Sequence, residues 1–375
     1  MKVLHIITGL GTGGAERALF QLLQGGLNSQ FESCVVSLGG EGTYAELLRS
    51  EGVPTVALGL REGASLLSAL KALRKILGNF QPDIIQGWMY HGNLVASIAS
   101  GLAPGSPSVY WNVRQTLYDI DHEKTGTRWI IRLCSLISGR PKAIIYNSSV
   151  SCQQHEDFGF SKRSHVVIPN GFDLLTWRPD TNGALETRRS LGIAGSAVVI
   201  GHVARFHPMK NHESFVKAAV NLLSENSECE VVLVGLGVTP DNQALNSLVP
   251  DSLKPRFHWL GERRDVLQLM QCFDVFCLSS AWGEAFPNVL GEAMATGTPC
   301  ISTDVGDSRY IVGDTGTVVQ ANDQDALVGG LQKLVSMSVA LRYERGMEAR
   351  GRIQKLFALE AVINDYSRLY RSSYA

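Results

Sequence analysis

Two carboxylates separated by seven residues, Glu284 and Glu292, follow the strand-like run Asp274-Val275-Phe276-Cys277-Leu278. Carboxylates only accept hydrogen bonds, so a pair of them suits a ligand rich in hydroxyl groups. A second set of charges follows the run 198–203, where Arg205 and Lys210 sit at the handover from strand to helix. Two cations there can neutralise a diphosphate, arginine through its planar fork and lysine as a point charge. Between the carboxylates, Pro287 suits the first turn of a helix, where a missing N–H costs nothing. The backbone N–H groups near 287–290 are then expected to favour an anion. These residue types predict a site for a molecule that is both anionic and hydroxylated.

A glycine-rich stretch lies near the start, Thr8-Gly9-Leu10-Gly11-Thr12-Gly13-Gly14-Ala15-Glu16-Arg17. Gly9, Gly11 and Gly14 match G-x-G-x-x-G, which lets backbone approach a phosphate at a helix N-terminus. Three readings stay open: a phosphate or acceptor contact, a dinucleotide site, or a plain tight turn. The dinucleotide reading wants an acidic residue at the end of the second strand. That strand ends in Gly39-Gly40, with Glu41 just beyond, a poor fit. Asp119/Asp121 and Asp323/Asp325 each spell D-x-D, a tripeptide that can hold a divalent metal under a diphosphate. With Arg205 and Lys210 supplying positive charge, no metal is expected. His202, His207 and His212 recur every five residues, a spacing that does not stack on one helix face, so no zinc site is expected among them.

The elements that must position these residues alternate. Strands are predicted at 2–7, 33–38, 83–87, 108–113, 142–147, 198–203, 230–235, 274–278 and 298–302, with helical stretches between them. Val3-Leu4-His5-Ile6-Ile7 and Glu230-Val231-Val232-Leu233-Val234 are nearly continuous apolar runs, as parallel strands covered on both faces require. The prediction is an α/β protein of two Rossmann-like parallel-sheet domains. Ligands are expected beyond the carboxyl ends of the strands. The turn-rich stretch 169–197 is the expected linker. In 375 residues, 34 Lys+Arg balance 35 Asp+Glu, which argues against a general nucleic-acid binder. Composition is that of a globular protein, with 45% hydrophobic and 18% charged residues. No apolar run approaches the ~18 residues of a membrane span. The first run is too short for a signal peptide. Seven dispersed cysteines without a C-x-x-C pair point to reduced thiols and a cytoplasmic setting.

Gly13-Gly14-Ala15-Glu16, the Arg205/Lys210 pair and the Glu284/Glu292 segment together resemble the retaining GT-B glycosyltransferases of the group 1 type, glycosyltransferase family 4. Asn170-Gly171-Phe172-Asp173, Gly235-Leu236-Gly237, Leu260-Gly261 before Asp265-Val266, and Asp304-Val305-Gly306 extend the resemblance over the whole chain. It implies two Rossmann-like domains facing a central cleft. Residues 1–175 would bind the acceptor and 176–355 the nucleotide-sugar. Residues 356–375 would form a helix packing back on the first domain, with Phe357, Tyr366, Leu369 and Tyr370 in this tail. It implies that Arg205 and Lys210 hold a diphosphate, that Glu292 binds ribose hydroxyls, and that Glu284 contacts the transferred sugar. Backbone groups at Phe286, Pro287, Asn288 and Val289 would help, and Glu262 and Arg263 would line the base. Gly13 and Gly14 would approach the donor, His91 the reacting sugar, and Glu16, Arg17 and Arg114 the acceptor or phosphate. The catalytic set implied is His91, Arg205, Lys210 and Glu284.

The function expected is therefore transfer of a sugar, with retention, from a UDP- or GDP-sugar to a glycan or lipid-linked acceptor of a cell-surface polysaccharide or glycolipid. No cofactor, metal or nucleic-acid partner is expected. His202 and His207 flanking Arg205, and Asn211 after Lys210, depart from the commonest family pattern. A sugar-nucleotide isomerase, a non-catalytic nucleotide-binding relative and an NAD-dependent oxidoreductase are the competing readings. Leu66, Leu70, Leu73 and Leu77 recur at helical spacing beside Lys71, Arg74 and Lys75. Such a helix either packs on the core or rests on anionic lipid, which would place the enzyme at the inner face of the membrane.

Overall fold

The computed structural model describes residues 1–372. The chain forms two units: Met1–Gly171 joined by the segment from Leu359 onward, and Phe172–Ala358. The last three residues of the expected C-terminal segment, 373–375, lie outside the described residues.

The first unit is built on a seven-stranded sheet of order β3-β2-β1-β4-β5-β6-β7, parallel throughout. Its strands are β1 (Lys2–Ile7), β2 (Glu32–Ser37), β3 (Thr55–Ala57), β4 (Ile84–Trp88), β5 (Ser108–Val113), β6 (Ala143–Tyr146) and β7 (His165–Val167). The apolar run of β1 serves both faces, because successive side chains point to opposite sides. Val3 and Ile7 join one core with Leu19, Leu22 and the C-terminal helix. Leu4 and Ile6 join another with Leu73, Leu77 and Ala96. The helix Leu66–Phe80 shows how sequence dictates such an element. Ser65 caps it by accepting from the Ser68 N–H at 3.1 Å, Ala69, Leu73 and Leu77 form its buried face, and Gln81 ends it in the left-handed conformation. The C-terminal helix Leu359–Arg371 returns to this unit and buries Val362, Ile363, Tyr366 and Tyr370. Asn112 Nδ2 donates to Tyr366 Oη at 2.7 Å, and Tyr110 Oη donates to the Leu369 carbonyl at 3.2 Å.

The second unit carries a six-stranded parallel sheet of order β10-β9-β8-β11-β12-β13. These strands are β8 (Val198–Val203), β9 (Cys229–Val234), β10 (Phe257–Trp259), β11 (Val275–Leu278), β12 (Cys300–Thr303) and β13 (Thr317–Val319). In each sheet the order reverses between the first and fourth strands of the unit, β1/β4 and β8/β11. That reversal leaves a crevice at the carboxyl ends, where open α/β sheets bind ligands.

The nine predicted strands are all present. The four that sequence reading missed are β3, β7, β10 and β13, the outer strands of both sheets. Each has only three residues and one partner, so none carries the continuous apolar run that marked the inner strands. Pro287 differs by one position from expectation. It precedes the helix Asn288–Ala295 as its N-cap rather than opening its first turn.

Candidate active site

Both ends of the β8/β11 reversal carry predicted residues. β8 runs into a loop and a single turn, Pro208–Lys210, before the helix His212–Glu225. Asn211 makes the handover in the left-handed conformation (φ 48°) and caps that helix by accepting from the Ser214 N–H at 3.3 Å. This explains the departure from the family pattern: asparagine is the non-glycine residue best suited to positive φ and to capping. Across the reversal, β11 runs into Ser279-Ser280 and the segment that ends at Pro287.

Lys210 and Glu284 meet. The Lys210 ammonium donates to Glu284 Oε1, which also accepts from Ser280 Oγ at 2.6 Å. Both side chains are largely shielded, at 16% and 9% exposure. Only one carboxylate oxygen of Glu284 is held by this pair of donors. Arg205 is exposed and, among the described residues, its side chain makes no hydrogen bond or ion pair. Glu292 is 2% exposed on the Asn288–Ala295 helix. Phe286 turns its ring into the core against Phe172 and Phe357, so only its backbone is offered outward. Of the positions near 287–290 expected to offer backbone N–H groups, two offer none: proline lacks one, and the Leu290 N–H donates to the Pro287 carbonyl at 3.1 Å. Arg263 is engaged by Asp265 through two hydrogen bonds of 2.8 and 2.6 Å, while Glu262 is exposed.

These loops are stitched to one another. Gly306 has φ 58°, and a Cβ there would overlap the Glu284 carbonyl oxygen. The Asp307 N–H donates to the Ala285 carbonyl at 2.9 Å, the Ala281 N–H to Met209 at 2.8 Å, and the Phe206 N–H to Leu236 at 2.8 Å. Sequence reading missed the polar layer beneath. Ser279 Oγ donates to the Lys210 carbonyl at 2.9 Å and so accepts from His202 Nε2, 3.1 Å away. His212 Nε2 donates to the Ala204 carbonyl at 3.1 Å. The two imidazoles meet edge-on with centroids 4.7 Å apart, although their spacing of ten residues suggested no contact. Burial lowers both histidines, His212 to about 4, with the Lys210 charge adding to the shift. They are neutral struts under the loop that carries Lys210.

In the first unit, Gly13 is the N-cap of the helix Gly14–Leu22 and lies under the Glu16 carboxylate, which a Cβ at Gly13 would overlap. Gly14 has open space around it. Burial raises the Glu16 carboxyl, against its own backbone hydrogen bond and the nearby Arg61 charge. Arg17 lies half-buried on the same helical turn. His91 stands in the first turn of the helix Met89–Ser100, after β4. Met89 holds φ 63°, a strained value for a non-glycine residue, and Gly92 touches the Ile6 carbonyl so closely that only glycine fits. Burial lowers the His91 imidazole, and Arg61 lowers it further. Arg61 therefore faces both Glu16 and His91, and nothing in its surroundings in sequence singles it out.

Below this turn, His155 Nδ1 donates to the Ser151 carbonyl at 2.7 Å, which leaves Nε2 to accept from Tyr90 Oη at 2.7 Å. Arg114 is placed differently from expectation. Its guanidinium donates to Asn170 Oδ1, to Asn112 Oδ1 at 3.3 Å and to Tyr366 Oη at 3.2 Å, and it lies over the Trp88 ring. It ties β5 to the C-terminal helix and is not a freely presented cation. Glu41 pairs with Arg49 instead of closing a dinucleotide site. The D-x-D tripeptides do local work: Asp119 accepts from the Asp121 N–H, Asp121 pairs with Arg128, and Asp323 caps the helix Gln324–Val335.

Two doubly wound sheets with charged loops at both reversals give the architecture, and the comparisons supply the family. The pattern described as Glycosyltransferase Family 4 matches residues 12–174, and that described as Glycosyl transferases group 1 matches residues 197–337. EpsF of Bacillus subtilis, itself named as a glycosyltransferase, is 30% identical over 329 residues, 81% of this chain and 79% of the relative. An Escherichia coli enzyme, UDP-Gal:alpha-D-GlcNAc-diphosphoundecaprenol alpha-1,3-galactosyltransferase, is 26% identical over 90% of this chain and 89% of its own. Anabaena HepE, solved with UDP, superposes with a TM-score of 0.84 at 22% identity, over 99% of this chain and 100% of its own. The same protein was solved with UDP-glucose. The chain belongs to the group 1, family 4 glycosyltransferases and has their GT-B fold. It is a glycosyltransferase.

Proposed function

We propose that the enzyme transfers a hexose, with retention of configuration, from a UDP- or GDP-sugar to a glycan or lipid-linked acceptor in cell-surface polysaccharide or glycolipid synthesis. The observation that carries this is the Lys210–Glu284 pair beside the exposed Arg205, at the carboxyl ends of β8 and β11. As the sugar–phosphate bond breaks, negative charge grows on the diphosphate and positive charge on the sugar C1. Arg205, Lys210 and the first turn of the Asn288–Ala295 helix stabilise the leaving group. Glu284 keeps one oxygen for Lys210 and Ser280 and offers the other to a sugar hydroxyl. Glu292 takes ribose hydroxyls, Glu262 and Arg263 border the base, and the backbone of 286–289 borders the sugar. Gly13 and Gly14 border the donor, while His91, with Glu16 and Arg17, faces the reacting sugar and acceptor. Arg114 acts by positioning. The two cations make a divalent metal unnecessary for transfer, and the leaving phosphate takes the acceptor proton. The lipid-linked substrate in the name of the E. coli relative, and the UDP ligands of HepE, support the donor and acceptor classes.

Thermal shifts with UDP, GDP, ADP and NAD, on the native chain and Glu292→Ala, test this reading. A ligand at 100 times its dissociation constant stabilises by about 2.7 kcal/mol. A shift with UDP or GDP that is lost in Glu292→Ala is the expected result. A shift with NAD alone overturns it.

The reading includes peripheral contact with anionic lipid at the inner face of the membrane. Among the described residues no helix is long and apolar enough to cross a membrane. The helix singled out in sequence turns Leu73 and Leu77 into the core but exposes Leu66 and Leu67 at its start, with Lys71, Arg74 and Lys75 exposed along it. A second surface is the helix Thr125–Ile137, which exposes Trp129, Leu133 and Leu136 on one stripe beside Arg132. A basic helix with an aromatic stripe suits the interface of an anionic bilayer. Sedimentation with anionic liposomes at low salt, lost in Leu136→Ser, is expected; failure of the native chain to sediment removes this part of the reading.

A further inference from the structure

The sheet of the first unit ends at β7, an edge strand with β6 as its only partner. The helix Ser149–Phe158 leaves the carboxyl end of β6 and runs back toward the start of β7. Cys152 and Glu156 are four residues apart on that helix, hence on one face. His165 opens β7. The three side chains meet beside the edge strand β7. His165 Nδ1 lies 2.6 Å from Glu156 Oε1, and Cys152 Sγ lies 3.7 Å from the same oxygen. All three ligand atoms fall within 4.8 Å of one another, the one such group of His, Cys, Asp and Glu among the described residues.

Glu156 is largely shielded, at 9% exposure, and a single carboxylate oxygen there faces both the half-exposed His165 and the buried Cys152 thiol. Sulfur, imidazole nitrogen and carboxylate oxygen are the three donors that zinc accepts together. Bonds of roughly 2.0–2.3 Å to a tetrahedral ion place its ligand atoms roughly 3.3–3.8 Å apart. The sulfur–oxygen distance already falls in that range, and the nitrogen–oxygen distance reaches it by a small movement of the half-exposed His165. Magnesium and calcium take oxygen ligands and make poor candidates for a thiolate site.

We propose that Cys152, Glu156 and His165 form a zinc site, with water as the fourth ligand on the side where His165 meets solvent. Binding releases the thiol proton of Cys152 to solvent and moves the proton of the ligating His165 Nδ1 to Nε2 or to solvent, so that the His165–Glu156 hydrogen bond gives way to two bonds to the metal. The ion clips the Ser149–Phe158 helix to an edge strand held on one side only. That strand leads through Ile168-Pro169-Asn170 to the boundary of the unit at Gly171. The metal is structural and separate from sugar transfer.

The test uses the full chain, stripped with a chelator and titrated with Co²⁺. The expected result is a sulfur-to-cobalt charge-transfer band in the near ultraviolet and tetrahedral d–d bands, saturating at one ion per chain and lost on adding Zn²⁺. Cys152→Ser abolishes the charge-transfer band. Cys134→Ser, which alters another buried thiol, leaves it intact. His165→Ala, at an exposed position that tolerates change, weakens Co²⁺ binding by about tenfold or more. Absence of the band at stoichiometric Co²⁺, its survival in Cys152→Ser, or unchanged affinity in His165→Ala overturns the proposal. None of these readouts depends on the donor or the acceptor.

Discussion

The carboxyl ends of β8 and β11 and those of β1 and β4 occupy the same place in two sheets of the same order, yet they are built differently. At β8/β11 the loops hold one another through backbone hydrogen bonds, and a shielded ion pair joins residues 74 apart in sequence. At β1/β4 the loop is a run of glycines with exposed stretches, and charge comes from Arg61, an exposed side chain. The first arrangement is pre-organised, as the diphosphate site proposed above needs to be. The second is also tied by backbone, the Thr8 and Leu10 carbonyls accepting from the Gly39 and Tyr44 N–H groups at 3.1 and 2.9 Å, but the charge of Arg61 is carried on an exposed side chain. The difference teaches where substitutions should hurt stability and function together, and where they should separate.

Lys210→Ala breaks the comparison most sharply. Transition-state stabilisation should fall by about 2–4 kcal/mol, by analogy with the loss of an oxyanion donor. Stability should fall too, because Glu284 is left shielded without its cation, a change that costs about 3–5 kcal/mol in buried pairs. Arg205→Ala should lose comparable activity with an unchanged melting temperature, since its side chain supports nothing else among the described residues. Turnover and melting curves on both variants check this; equal melting temperatures would remove the distinction between the paired and the free cation.

Acidification tests the layer under the stitched loops. His212 titrates near 6.5 when unfolded and near 4 when folded, because burial disfavours its charged form. The unfolded chain therefore binds more protons between those values, so stability is full above pH 6.5 and is lost as pH falls toward 4. At about 1.4 kcal/mol per unit, the full contribution of this histidine is roughly 3 kcal/mol. His155 adds a similar dependence in the first unit, also by burial. His212→Gln should flatten the melting temperature against pH between 6.5 and 4. A curve as steep as that of the native chain would show that His212 takes no part.

Two glycines sharpen the same contrast. Gly306→Ala forces a side chain into positive φ and against the Glu284 carbonyl, and should destabilise by about 1–3 kcal/mol or more. Gly14→Ala adds a methyl group to open space in a first helical turn, and should change stability by about 0.5 kcal/mol or less. Denaturant unfolding of the two variants measures the gap; a small effect at Gly306 would mean that the loops are not locked together.

The contrast also explains what could be read from the sequence. The inner strands were legible because burial on both faces demands an apolar run, as at β1, β8 and β9. Lys210 and Glu284 were legible because both follow such strands directly. Ser279, His202 and His212 were not, since a polar residue in or beside a strand has no signature until its partners are known. Arg114 follows β5 on the side expected for a ligand contact, and only the C-terminal helix, more than 240 residues away in sequence, reveals that Tyr366 accepts from it. The amino-terminal glycines alone could not choose between phosphate contact, dinucleotide and tight turn. What narrows them is the family match over residues 12–174; Glu41, beyond the end of the second strand, pairs with Arg49.

The smallest expected effect concerns Arg61, the cation that sequence reading missed. Its charge disfavours protonation of His91 and of Glu16, adding to burial at the first and opposing it at the second. Removing a cation favours the positively charged form of a histidine and the neutral form of a carboxyl, so both groups should titrate at higher pH in Arg61→Ala. Arg61 is exposed, and water screens its field, so the His91 shift should be less than about one unit. Burial of His91 is unchanged by the substitution, so its midpoint should stay below that of a free histidine. Titration of the His91 ring protons by NMR measures this directly. A midpoint that stays put would leave the β1/β4 end without the positive field assigned to Arg61, and Arg17 and the glycine loop would then be the features there able to attract an anion.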